Sequence, residues 1–340
     1  MLFVQKNYWV PLVIVYSLLC CCRERTAGIA GMPQGERTIP ASLDTIPCDT
    51  AFYRQKLLAM VHGKPSSGWP VAGACPDSGA LLPFNRIVAY YGNLYSAGMG
   101  ILGALPPQQM KDKLLEQVAQ WRLADSSTPV IPALHYIAVT AQPTKGKDGK
   151  YRLRMPFGQI DSILGMAKSI NALVFLDIQL GHSTLKEEIP VLRKYLQRSD
   201  VHLGIDPEYA MKDGEVPCSV IGSLDAVDIN YAVDYLSELV IQYKLPPKIL
   251  VIHRFTRGMV TNYRRIRTSP QVQIVMNMDG FGYPGKKIDS YKSWIGGEPV
   301  QYAGFKVFYK NDIQPDKWPQ VMSPADILQL YPQPLYIQYQ

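Results

Sequence analysis

Val201-His202-Leu203-Gly204-Ile205-Asp206-Pro207-Glu208 is the stretch on which the reading of this chain turns. Residues 201–205 form an apolar run that reads as a buried strand, and it ends in two acids. Side chains two apart on a strand share a face, with Cα atoms about 6.5–7 Å apart. Asp206 and Glu208 therefore leave the strand end side by side. Packing has no use for such a pair. It suits a site in which one carboxyl stays protonated while another is charged.

Working outward, similar apolar runs occur at 87–91, 130–135, 173–178, 249–253, 272–278, 304–308 and 335–338. Amphipathic segments separate most of them. Residues 106–121 carry Met110, Leu114, Val118 and Trp121 at helical spacing, and 158–170 carry Ile160, Ile163, Leu164 and Ala167. Residues 185–196 open with the capping box Thr184-x-x-Glu187. Residues 224–243 place Ala226, Ile229, Val233, Leu236 and Val240 on one stripe behind Ser223 as the expected cap. Weaker helices are expected at 259–266 and 288–294, and Ser323-Pro324-x-Asp326 reads as a helix start.

Strands alternating with helices imply parallel pairing with both sheet faces covered. Eight such units predict an α/β chain whose residues 86–340 form a (β/α)₈ TIM barrel. A doubly wound open sheet is the alternative. It is disfavoured because Tyr91-Gly92-Asn93-Leu94 lacks the glycine-rich turn that such sheets use for phosphate.

Ahead of the barrel, Lys6 precedes an apolar stretch, 9–19, that ends at Cys20-Cys21-Cys22. It has the length of a signal-peptide core. Residues 1–22 are therefore expected to be an export signal, loosely similar to a bacterial lipobox. That resemblance implies lipidation at Cys22 or Cys20, and hence a membrane anchor in the cell envelope, or else simple secretion. Residues 23–45 read as a polar linker and 46–85 as an N-terminal extension packed on the barrel. Export permits a disulfide. Cys48 and Cys75 are the expected pair, with Cys218 an alternative partner. No Cys-x-x-Cys or Cys-His spacing occurs, so neither a metal nor another cofactor is expected. The net charge of +7 is scattered apart from Arg264-Arg265-Ile266-Arg267, read as a solvated helix face, so no nucleic-acid partner is expected.

Chemistry in a barrel belongs to the C-terminal ends of its strands. Asp177, Asp206, Glu208 and Asp279 all fall at such ends and are the candidate catalytic residues. His135, His253, Lys306, Tyr91, Gln179 and Asn277 share the rim and are candidates for binding substrate. His253 is expected to face inward, sharing the parity of Ile249 and Val251, with Arg254 outward. Trp294, Tyr309 and Trp318 join Tyr91 as candidate sugar-stacking aromatics.

The Asp206-Pro207-Glu208 frame at the end of a fourth barrel strand resembles two families of sugar-cleaving enzymes. Family 25 lysozymes carry Asp-x-Glu there. Family 18 chitinases carry a longer run, Gly-x-Asp-x-Asp-x-Glu, of which Gly204–Glu208 matches only the last part. The chain as a whole is similar to exported bacterial barrel proteins. The resemblance implies a glycoside hydrolase acting on a cell-envelope or extracellular polysaccharide. Glu208 would be its general acid, and Asp206 would tune that proton and stabilise positive charge. The second carboxylate would come from Asp177 or Asp279, unless an N-acetyl group of the substrate replaces it. Two rivals are a glycan-binding surface lipoprotein with a degenerate mouth, and a metal-dependent hydrolase using Asp177, Asp206, Glu208, His253 and Asp279 as ligands.

Overall fold

A computed structural model describes residues 48–66 and 68–340. The expected signal, its candidate lipidation sites Cys20 and Cys22, and the linker lie outside the described residues.

The chain is a (β/α)₈ TIM barrel. Its parallel strands are β1 Arg86–Gly92, β2 Val130–Ala141, β3 Leu173–Gly181, β4 Val201–Ala210, β5 Lys248–Arg254, β6 Val272–Met278, β7 Tyr302–Val307 and β8 Tyr336–Tyr339. Each pairs with its neighbours in order, and β8 returns to β1 with Ile87 opposite Tyr336. The ring therefore has no free edge. A three-residue strand, Arg152–Arg154, adds antiparallel to the overhanging end of β2. The strands are buried along nearly their whole length, as expected when helices cover the outside and side chains fill the inside.

The long helices bury the stripes read from sequence. Helix α2, Pro107–Ala124, buries Met110, Leu114, Val118 and Trp121, and α3, Phe157–Ser169, buries Ile160, Ile163 and Ala167. Helix α4, Ala226–Tyr243, buries Ala226, Ile229, Val233, Leu236 and Val240.

Three local expectations are corrected. The cap of α4 is Asp225, not Ser223. Asp225 Oδ1 accepts from Val227 N–H and Asp228 Oδ2 accepts from the Asp225 N–H, because residues 224–225 are drawn into a short parallel pair with Val260–Thr261. The 185–196 segment is three short turns rather than one helix: Pro190, lacking an N–H, sits in the middle turn. Residues 259–266 form no α-helix. Val260–Thr261 is strand, Asn262 is left-handed at φ 54°, and Arg264 and Arg265 sit on a 3₁₀ turn.

Ahead of the barrel, α1 (Thr50–Met60) buries Tyr53 and Met60. Cys48 is bonded to Cys75, their Cα atoms 6.2 Å apart, and Cys218 is free and exposed. The extension is tied to the barrel's N-terminal end. The Gln273 amide, from inside β6, accepts from Leu81 N and Leu82 N at 3.0 and 3.1 Å and donates to Leu82 O at 2.6 Å.

Asp225 also receives bonds from Thr261 Oγ1 and Asn262 Nδ2, each at 2.6 Å. Asp225→Ala should therefore cost about 1–2 kcal/mol in urea denaturation, more than a cap alone removes in most helices. Asp228→Ala should cost less.

Candidate active site

The C-terminal mouth of the barrel opens into a cavity of about 720 Å³. Its floor and walls include Asp206, Glu208, Asp279, Lys306, Tyr91 and Gln179, so six of the ten sequence candidates line it. Parity within each strand explains the direction of these side chains. Register explains their depth. Gln179 lies opposite Asp206, and Asp177 lies opposite Gly204, one layer further down the barrel axis.

That layer corrects the expectation that Asp177, His135, His253 and Asn277 meet substrate. All four are fully buried and none lines the cavity. Asp177 Oδ2 accepts from the Tyr91 hydroxyl at 2.9 Å. Its Oδ1 faces His135 Nε2 at 3.3 Å and His253 Nε2 at 3.5 Å. His253 Nδ1 in turn lies 2.8 Å from Asp279 Oδ2. Space for this layer comes from missing side chains. A Cβ on Gly204 would stand 2.3 Å from Asp177 Oδ1 and 2.4 Å from His135 Nε2, and one on Gly304 would stand 2.7 Å from Asn277 Oδ1. Arg254 points outward as expected, donating to the carbonyls of Thr256, Arg257 and Trp294.

The acids divide into two protonation classes. Burial pushes the Glu208 carboxyl up to about 7, and the negative charge of Asp279 adds to the effect. Burial also raises Asp206 well above the usual carboxylate range, aided by Asp279, Glu208 and Asp177. Asp206 Oδ1 accepts from the Glu208 backbone N–H at 3.1 Å, which fixes the turn between them. Asp279 goes the other way. Burial alone would raise it, but Lys306 and His253 outweigh that and hold it ionised. Lys306 Nζ is 2.8 Å from Asp279 Oδ1 and 3.9 Å from the centre of the Tyr91 ring. The face of Tyr91 is thus taken by a lysine rather than offered to a sugar. Of the other candidate aromatics, Tyr309 lines the cavity, and Trp294 and Trp318 do not.

Sequence reading missed the second half of the wall. Phe255, Phe281, Phe308 and Tyr209 line the cavity beside the acids. Residues 97–104 supply a wall of glycine, alanine and short apolar groups. Buried Lys287 joins helix Pro284–Tyr291 to the strand-seven loop through Asp312 and the Lys306 carbonyl, at 2.5 and 2.6 Å. Tyr209 directly follows Glu208, and Phe255 stands two residues past His253 on the same parity, so strand overhang was a usable signal. Nothing local marks the Lys287–Asp312 pair.

His135, Asp177 and His253 offer ligand atoms that all lie within 4.8 Å of one another, and could hold a metal ion. The carboxylates above them number three, and of these Asp279 is already paired with Lys306. Among the described residues, no helix is long and apolar enough to cross a membrane.

The sequence matches no protein-family model and no curated protein. Among solved structures, the chain is similar to the cellulase Cel5C_n, with a TM-score of 0.38 and 12% identity, over 65% of this chain and 65% of that one. It is also similar to a ruminal GH26 endo-β-1,4-mannanase, with a TM-score of 0.34 and 11% identity, over 75% of this chain and 58% of that one. The chain thus spans less than two-thirds of the length of either enzyme. Likeness at this level speaks to neither substrate nor mechanism.

The Glu208 shift has a signed consequence for stability. Its carboxyl ionises near 4.5 when unfolded and near 7 when folded. Below pH 4.5 it is protonated in both states and contributes nothing. Between the two values the unfolded chain ionises first, so the folded state loses stability as pH rises. Glu208→Gln should therefore match wild type at pH 4 and exceed it at pH 8.5 by on the order of 1–2 kcal/mol. Urea midpoints at the two pH values provide the check.

Proposed function

We propose that the chain hydrolyses glycosidic bonds. The observation that carries this reading is Glu208: an acid facing a roomy cavity, half-buried, with its carboxyl held protonated near neutral pH by burial and by Asp279. A general acid needs that combination of access and raised pKa. In the proposed reaction Glu208 gives its proton to the leaving glycosidic oxygen as the C1–O bond breaks. Positive charge develops at C1 and the ring oxygen. Asp279, ionised and fixed by Lys306, is the carboxylate that opposes it across the same cavity. Water completes the reaction, and the proton it loses restores Glu208. Asp206 orients Glu208 through its backbone N–H and keeps a second proton in the mouth. Asp177 cannot act on substrate directly, because Tyr91 stands between it and the cavity. That leaves Asp279 as the second carboxylate, unless the substrate's own N-acetyl group serves.

The aromatic wall of Phe255, Phe281, Phe308 and Tyr309 supports a sugar ligand, since apolar ring faces stack on pyranose rings. The apolar 9–19 stretch and Cys20–Cys22 support export, so the substrate proposed is a cell-envelope or extracellular polysaccharide. A glycan-binding protein without turnover is the second reading. It is favoured by Lys306, which pairs with Asp279 and covers the Tyr91 ring, so these rim groups engage one another.

Glu208→Gln should reduce turnover by about 10²-fold or more on the best substrate from a panel of envelope and biofilm glycans. Asp206→Asn should shift the pH profile of kcat/KM rather than abolish activity. Asp279→Asn should be as damaging as Glu208→Gln. If wild type binds a glycan of the panel tightly but hydrolyses none, the hydrolase reading fails and the binding one stands; if Glu208→Gln hydrolyses as fast as wild type, Glu208 is not the general acid.

A further inference from the structure

The buried layer under the cavity has a geometry that ion pairing does not explain. Charge-assisted N–H···O bonds run at about 2.7–2.9 Å. Asp177 Oδ1 lies 3.3 Å from His135 Nε2 and 3.5 Å from His253 Nε2. Two ligands bound at about 2.1 Å around a tetrahedral zinc-class ion are separated by about 3.4 Å. The observed spacings match the edge of a coordination shell better than they match a bond between the residues. The same three atoms are fully buried and have no hydrogen-bond partner among the described residues.

We propose that His135 Nε2, Asp177 Oδ1 and His253 Nε2 form a site for one late first-row divalent cation of the zinc class. Two imidazoles and one carboxylate are the donor set such ions prefer over magnesium or calcium.

The groups behind the ligands fit the proposal. Metal-binding histidines use their other ring nitrogen to donate to a carboxylate or similar acceptor. His253 Nδ1 lies 2.8 Å from Asp279 Oδ2, within reach of that bond although the two groups are not aligned for it here. His135 Nδ1 meets the Tyr336 hydroxyl at 2.5 Å. Gln338 lies 3.1 Å from that hydroxyl, and its amide oxygen has no donor among the described residues. Turning the amide over lets that oxygen accept from Tyr336 and frees the hydroxyl to accept from His135 Nδ1–H. Nε2 then keeps its lone pair for the ion. Asp177 is held by Tyr91 on its other oxygen.

Glycine at 204 leaves the converging atoms uncovered on the strand-four side, where any side chain would collide with two of the three ligands. Charge points the same way. Asp177, Asp206, Glu208 and Asp279 crowd the mouth, and Lys306 contacts only the last of them. A dication beside Asp177 relieves that crowding. Tyr91 separates the cluster from the cavity and is the side chain an entering ion would pass. The site departs from the expectation of no metal because its ligands come from three strands, with no local spacing to reveal them.

The test uses the full chain and does not depend on glycan turnover. Purified protein is stripped with dipicolinate, and Zn²⁺ or Co²⁺ is returned at one equivalent. The expected result is close to one ion retained per chain after gel filtration, and a Tm several degrees higher. Co²⁺ should show visible absorption bands of a nitrogen and oxygen site. Mg²⁺ and Ca²⁺ at the same concentration should do none of this. Asp177→Asn should weaken Zn²⁺ binding by about 10²-fold or more, and Tyr336→Phe, which only loosens His135, by about 10-fold. The proposal is overturned if stripped wild-type protein neither retains Zn²⁺ nor gains stability from it. It is equally overturned if Asp177→Asn and Tyr336→Phe bind Zn²⁺ as wild type does. In both cases the three groups share protons rather than an ion.

Discussion

Everything in the mouth of this barrel rests on the burial of Asp177. A carboxylate on the axis of a closed barrel is costly unless it is bonded and neutralised. Three strands converge to do that: β1 brings Tyr91, β2 brings His135 and β5 brings His253. β4 contributes by absence, since only glycine at 204 leaves room for two of these groups. Removing one member of such a cluster leaves buried polar groups without partners, which is costly whether a proton or a cation joins them. The arrangement therefore constrains four strands at once, and through them the positions of the residues one layer above.

The upper layer inherits its electrostatics from the lower one. His253 touches Asp177 below and Asp279 above, so the charge held in the buried layer helps keep Asp279 ionised. Asp206 and Glu208 lie on the strand that carries the glycine, and little offsets their charge: one backbone N–H, and no cation in contact among the described residues. Burial then wins and both carboxyls move upward. Acids on one rim thus reach opposite protonation states, the condition for acid and carboxylate to work together at one pH. At the opposite end, Gln273 ties β6 to the backbone of Leu81 and Leu82.

Much of this was legible in the linear sequence. Apolar runs and helical stripes revealed the eight units, because a strand buried on both faces and a helix packed by one stripe each leave a period in the chain. The rim position of Asp206, Glu208, Asp279 and Lys306 followed from where the runs stop. The parity of His253 against Arg254 followed from the two-residue repeat of a strand. Less was legible where backbone partners override local preference. Ser223 looked like a helix cap, but pairing of residues 224–225 with Val260–Thr261 moved the start to Asp225.

The sequence by itself determined which residues reach the C-terminal rim, since that depends only on run boundaries and alternation within each strand. Only the tertiary structure decided how deep each one sits. Depth is set by the stagger between neighbouring strands, which no single strand encodes. Asp177 and Asp206 look equivalent in their runs, yet register pairs Asp177 with Gly204 and places it one layer below. That offset separates an acid sealed among histidines from the acids that face the cavity.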